Sequence, residues 1–426
     1  MLVAYFKILR KRNFFCLWFG QIVSQFGDRL TQMALIGLVY KLQHGVSPLG
    51  LFKMMSLAII PVFLFSPVAG VYIDRWDKRR TMYVSDLIRA LFIFLIPLLC
   101  FRFKSLGLAY VFIFLSFSMG RFFIPAKMAM IPSIVPKKDL LAANSLVSVT
   151  AMIAAVLGLG FGGMIVEKWG VKTTFYLDSL TFIVSGVFIY LISMKENTHF
   201  HAKDLLDMSK DALETVKNSV IFELKEGIQY IAKSPETKYA IKVKITLFAI
   251  IGALYTVFIA FIQEALSTIT LELGWLAVGA GGGLFVGTIL YGRFGKKLSV
   301  NKTISLSLLL SSAHLIFFTS VLRWHPWKMF AFISCVILGI LCSPIEIAIT
   351  TFIHKKTKNE FLGRIFSSIE VVLHLTLLIS MGISSLLAEL MTPFTIILTV
   401  GIVMFLFSLK NLLTDNGNLH DTRRRT

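Results

Sequence analysis

Long apolar runs separated by short polar loops recur along almost the whole chain. They fall near 14–40, 49–73, 82–101, 106–129, 141–166, 174–194, 239–263, 273–292, 301–322, 327–352, 363–388 and 394–413. Each has about the twenty mostly apolar residues that a helix needs to cross the hydrocarbon core of a bilayer. The pattern predicts an all-α membrane protein of about twelve transmembrane helices. The longest polar interval, 195–238, sets off two six-helix bundles at 1–194 and 239–426. Inside it Leu206, Leu213, Val216, Val220, Leu224 and Ile231 recur at helical spacing among Lys and Glu. That spacing predicts an amphipathic linker helix on the membrane surface.

Composition agrees with lipid as the solvent. The chain has 426 residues, 56% hydrophobic and 15% charged, where a soluble domain carries about a quarter charged residues. The net charge of +20 invites a nucleic-acid reading, but its distribution points to topology. About 32 of the 43 Lys and Arg fall on one side of a twelve-span arrangement, and such residues gather in cytoplasmic loops. Both termini are therefore expected inside, with no nucleic-acid partner. The first apolar run is too long for a signal-peptide core and lacks a small-residue cleavage site, so it is expected to remain as a span. Cys16, Cys100, Cys335 and Cys342 sit in or beside apolar runs without metal-ligand spacing, which suggests packing. No metal and no cofactor are expected.

The halves carry a faint internal repeat. Gly70-Val-Tyr-Ile-Asp74-Arg75-Trp-Asp77-Lys78-Arg79-Arg80 follows the second span, and Gly287-Thr-Ile-Leu-Tyr291-Gly292-Arg293-Phe-Gly295-Lys296-Lys297 follows the eighth. Paired halves are a common architecture of secondary transporters. The Gly70–Arg80 stretch resembles the cytoplasmic loop signature of the major facilitator superfamily. Further fragments are similar to its drug:proton antiporter branch, which contains macrolide-efflux and siderophore-export proteins. These are Phe26-Gly27-Asp28, Asp86-Leu-Ile-Arg89-Ala90, Pro125-Ala126, Ile131-Pro132-Ser-Ile-Val135-Pro136, Ala143-Asn144-Ser145-Leu146 and Gly363-Arg364-Ile-Phe366-Ser367. Lysophospholipid flippases of the same superfamily share the Phe-Gly-Asp and Pro-Ala-Lys fragments. The resemblance implies a central cavity lined by the first, fourth, seventh and tenth spans and opened alternately to each side. It also implies a monomer, a bacterial inner membrane, and a gating role for Gly70, Asp74, Arg75, Arg79 and Arg80. Asp86 and Arg89, three residues apart, are expected to join that gating network.

Ionisable groups within spans are functional candidates, because lipid penalises them unless they face a cavity or a partner. Gln21, Gln25, Asp28 and Gln32 are spaced to share one helical face. They read either as a cavity wall, with Asp28 binding a proton or a cationic group, or as polar contacts to a neighbouring helix. Arg29, one residue on, points elsewhere. Glu346 lies beside Pro344, with Thr350 on the same face; it is a second proton-site candidate or the partner of Arg121 or Lys127. Arg121 is read as countering Asp28 or Glu346, or as holding an anionic solute. Glu370 and His374, four apart, form either a proton relay or a solvated gate pair. His314 reads as a packing histidine. The glycines at 279, 281, 282, 283 and 287 lack the Lys-Ser/Thr of a phosphate loop and suggest close helix packing.

The expected activity is not enzymatic, since no nucleophile–base constellation emerges. It is proton-coupled export of a small amphiphilic or drug-like solute across the bilayer. A lysophospholipid translocator and a non-transporting sensor or anchor are the alternatives.

Overall fold

The structure is a computed structural model, which describes residues 2–73, 76–193, 235–295, 299–356 and 359–423. The described residues form helices and loops, with no strand among them. In chain order the helices are α1 (Leu2–Leu9), α2 (Arg12–Leu42), α3 (Pro48–Ile73), α4 (Lys78–Phe103), α5 (Leu106–Ile134) and α6 (Leu140–Tyr190). Then follow α7 (Pro235–Leu266), α8 (Leu271–Phe294), α9 (Val300–Trp324), α10 (Lys328–Lys356), α11 (Asn359–Leu387) and α12 (Pro393–Arg423). A helix satisfies its backbone polar groups internally, which is why lipid selects it.

Ten of the described segments are long and apolar enough to cross a membrane. One of these, Lys137–Tyr190, is long enough for two passes. It folds at Gly170, whose φ of 88° lies in the left-handed region that a side chain disfavours. Its two arms are 140–169 and 171–190. α2 stands outside the ten because polar side chains interrupt it, yet its 31 residues exceed a bilayer's thickness. The two arms and α2 together complete twelve membrane passes.

The chain divides into two compact units. The first comprises Met1–Gly45, Lys53–Phe222 and Ile269–Gly274; the second comprises Val46–Phe52, Glu223–Thr268 and Trp275–Thr426. In the first, α2 packs along α6, and α4 packs against α5 and α6. In the second, α7 packs against α11 and α12, while α9 packs against α10 and α12. The amphipathic linker expected at 195–238 lies mostly outside the described residues.

α4 shows how membrane packing orders a helix. Leu87, Leu91, Phe94 and Leu98, at helical spacing, are exposed, whereas Ser85, Asp86, Arg89 and Ala90 are buried. Lipid accepts the apolar face, and the polar side chains turn inward to find partners. The helix begins at Asp77, whose carboxylate accepts from the Arg80 backbone N–H at 2.6 Å. Such a cap satisfies one of the donors that a helix start leaves open.

In the second unit the glycines of α8 permit backbone-close packing. A side chain at Gly283 would strike the Val336 carbonyl, and one at Gly287 would meet Ile340 and Ser343. This is the small-residue packing expected of the Gly-rich run. His314 is held at 3.1 Å from the Ser334 carbonyl oxygen.

Candidate functional site

A charged cluster lies inside the first unit where α2, α4 and α6 meet. Arg89 on α4 donates through Nη2 to Oδ1 of Asp28 on α2. Its Nη1 lies 3.8 Å from Oδ1 of Asp86, one turn earlier on α4. The guanidinium rests over the Phe182 ring, with Cζ 4.0 Å from the centroid. A planar cation suits such a site, because it bonds carboxylates at its edge while stacking on an aromatic face. Gly120 on α5 leaves room for it: a Cβ there would sit 3.5 Å from Arg89 Cζ.

The second arm of α6 organises the other side of the cluster. Asp178, Phe182 and Ser185 are spaced four and three apart, so they share a helical face. Ser185 donates to Oδ2 of Asp86 at 2.6 Å. Asp178, fully buried, accepts from the hydroxyl of Thr31 on α2 and from Thr181 at 3.0 Å. Gly27 permits this approach, since a Cβ at that position would collide with Thr181 Oγ1 and Asp178 Oδ1. Three carboxyl groups and one guanidinium thus share one site, in which Asp86 and Asp178 are fully enclosed and Asp28 lies at the edge. Low local polarity strengthens each charge interaction there and penalises each unpaired charge.

The polar face of α2 is not uniform. Gln21 is completely buried and its amide donates to the Val147 carbonyl on α6 at 3.3 Å. Of the two readings offered for it, the polar contact to a neighbouring helix is the one its amide N–H makes, while its Oε1 is buried without a hydrogen-bond partner. Gln25 is half-buried, and Gln32 accepts from Arg29 at 3.0 Å. Only Asp28 enters the charged cluster, with its side chain 25% exposed. On another side of α2, Ile22, Val23 and Phe26 with Thr150, Ile153, Ala154 and Leu157 line an open apolar groove of about 310 Å³.

Asp86 and Arg89, expected to join the gating network, bond Ser185 and Asp28, because α4 turns its polar face into the bundle. The partner that Asp28 takes is Arg89, where the sequence had offered Arg121. Arg121 itself is half-buried on α5. Arg79 donates to the Ile192 carbonyl at 2.7 Å, just past the end of α6, and Arg80 follows the cap at Asp77. Gly70 ends up in the last turn of α3; Asp74 and Arg75 lie outside the described residues.

The second unit holds a different ion pair. Lys244 on α7 approaches Oε1 of Glu346 on α10 at 3.0 Å, and Thr350 donates to the same oxygen at 3.1 Å. Within this unit Lys244 is thus a partner of Glu346. Glu370 is exposed, and Nδ1 of His374 lies 2.8 Å from its backbone carbonyl.

Asp178, Thr31, Thr181 and Lys244 were missed in the sequence. Asp178 carried a usable signal, being a lone carboxylate within the apolar run 174–194. The hydroxyls carried none, since Ser and Thr are common in membrane helices.

The sequence profile of the Major Facilitator Superfamily matches residues 17–263 and 243–424. The chain belongs to this superfamily. It is a multi-pass membrane transporter and not an enzyme. It is 22% identical to an uncharacterized MFS-type transporter, YfiS, of Bacillus subtilis, over 92% of this chain and 91% of that one. It is 21% identical to macrolide efflux protein A of Streptococcus pyogenes (89% and 90% covered) and 25% identical to the putative bacilysin exporter BacE of Bacillus amyloliquefaciens (92% and 94%). Among solved structures, the peptide transporter POT in complex with sulfate superposes with a TM-score of 0.68 at 14% identity, covering 95% and 94%. A mutant of the nucleoside transporter NupG gives 0.65 at 10%, covering 94% and 98%. At these identities the two structures establish the shared superfamily fold.

Proposed function

We propose that this superfamily member exports a small amphiphilic compound in exchange for protons entering the cell. The observation that carries the reading is the Asp28–Arg89 pair, partly buried between two helices of one bundle. Protonating Asp28 forms an O–H bond, removes its charge and weakens its hold on Arg89. A charge-assisted bond then becomes an ordinary one at an interface between α2 and α4, which biases the packing of those helices. The names of two relatives, a macrolide efflux protein and a putative bacilysin exporter, support export as the direction. The apolar groove between α2 and α6 supports an amphiphilic solute. The Lys and Arg distribution supports both termini on the cytoplasmic side, and the bacterial relatives support a bacterial inner membrane. The protein works as a monomer, with Gly70, Asp74, Arg75, Arg79 and Arg80 serving the gate. The exposed Glu346 offers a second ionisable group to the solute path; Glu370 and His374 belong to its margin.

The test is proton movement in vesicles containing the purified full-length protein, challenged with cationic drugs, siderophores and lysophospholipids. Solute-dependent proton flux that disappears in Asp28→Asn is the expected result. Transport whose pH dependence is unchanged in Asp28→Asn overturns the proton site. A second reading, lysophospholipid translocation, draws on the same groove, whose lining suits an acyl chain. Movement of a labelled lysolipid without proton flux selects it.

A further inference from the structure

We infer that Asp178 is a second proton site, holding the proton while Asp28 is ionised against Arg89 and yielding it when the pair opens. This rests on the antiport reading for its transport role, but the protonation of Asp178 stands on geometry alone.

The first observation is a count of charges. Asp28, Asp86 and Asp178 converge on the same interface. The charged groups that face Asp178 are Asp28 on α2 and Arg89 on α4, and those that face Asp86 are the same two. Lys127 on α5 faces Asp28. Arg89 is therefore the one described cation that serves both deeply buried carboxyls. It spends its hydrogen bond on Asp28 and its remaining proximity on Asp86. Among the described residues, the side chain of Asp178 receives hydroxyls only, from Thr31 and Thr181. An ionised carboxylate with neutral donors and complete burial is the costly arrangement, and a neutral carboxylic acid relieves it.

The second observation is independent of the count. Nε of Arg89 and Oδ1 of Asp86 are both buried without a hydrogen-bond partner. The guanidinium is thus incompletely used where it sits. It has donor capacity left for another carboxylate. The Phe182 ring beneath it lies one helical turn from Asp178 on the same arm of α6, so the stack guides the cation along that face.

The exchange balances as a simple proton transfer. The O–H bond of Asp178 breaks and an O–H bond of Asp28 forms, with the Thr31 and Thr181 hydroxyls beside the route. Negative charge passes from Asp28 to Asp178, and Arg89, cationic throughout, follows it. Nothing is oxidised or reduced. Gly27, the residue next to Asp28, keeps the two helices close enough for the step.

Infrared difference spectroscopy on the full-length protein tests the assignment. At neutral pH the wild type is expected to show a protonated-carboxyl C=O stretch that shifts in deuterated water. Asp178→Asn, nearly isosteric and still able to bond both hydroxyls, is expected to lose it, while Asp28→Asn retains it. Thr31→Val keeps the carboxyl and is expected to shift the band, which guards against an Asp178→Asn protein that does not fold. A band that persists in Asp178→Asn, or is indifferent to Thr31→Val, or is missing from the wild type, overturns the inference. In vesicles, Asp178→Asn is expected to move solute downhill with loss of coupled proton flux; an unchanged proton-to-solute ratio refutes the transport role. If the wild type moves no protons, the antiport reading falls by itself, and the infrared band still decides the state of Asp178.

Discussion

The two units each contain an ion pair between helices, and the pairs differ in solvation. In the first unit Arg89, with its side chain 7% exposed, bonds Asp28 and leans on Asp86, which is fully enclosed. In the second, Lys244 meets a Glu346 whose side chain is 60% exposed. Charges in a closed site depend on each other, because no water replaces a lost partner. Charges at an open site are hydrated already, so their attraction is worth little. The same salt-bridge chemistry therefore builds a largely buried contact in one unit and an accessible polar contact in the other.

The largest expected effect comes from removing the shared cation. Arg89→Met should destabilise the protein by about 3–5 kcal/mol, since Asp28 and Asp86 lose their counter-charge. Thermal unfolding in detergent measures it, and a wild-type midpoint would end the contrast between the two pairs. Next comes Gly27→Val, which forces bulk against Asp178 and Thr181. Overpacking of this kind costs about 1–3 kcal/mol, and the same melt should show it. If Gly27→Val is tolerated without loss, α2 and α6 are not held as closely as the cluster requires.

Asp77→Ala probes a solvated end of α4, the helix that carries Arg89. Losing the cap should cost about 1 kcal/mol, well below the cost at Arg89. An equal cost at both positions would mean that depth along the helix does not govern sensitivity. The smallest stability change is expected for Glu346→Gln, at about 0–1 kcal/mol. Its melting midpoint should depend less on salt than the wild type's, because a screened attraction has been removed. A loss of several kcal/mol there would place Glu346 in the same class as Asp28.

Much of the fold was legible because lipid imposes a coarse rule. A run of about twenty apolar residues has few alternatives to a membrane helix, so the Gly-rich 273–292 and the polar-speckled 363–388 appear as α8 and α11. The break between the fifth and sixth spans was legible as the interval between the apolar runs 141–166 and 174–194, but its hinge at Gly170 came from the structure. The candidate site was legible only in part. Asp28, Asp86 and Arg89 stood out as charges in apolar runs, but their mutual pairing did not, because it depends on how α2 and α4 are rotated. Gln21 shows the same limit. Its spacing matches that of Asp28, yet small angular differences along a long helix turn one toward α6 and leave the other beside Arg89.

By itself the sequence determined the solvent, the number of passes and a short roster of charges that lipid would not tolerate alone, and its motifs carried the resemblance to the superfamily. The first three follow from composition and period, which act through the local chain. The tertiary structure alone decided that Arg89 serves Asp28, that Lys244 serves Glu346, and that Asp178 is left with hydroxyls. Pairing between helices is set by close packing at residues such as Gly27 and Gly120, far apart in the chain, and a one-dimensional pattern does not encode which faces they bring together.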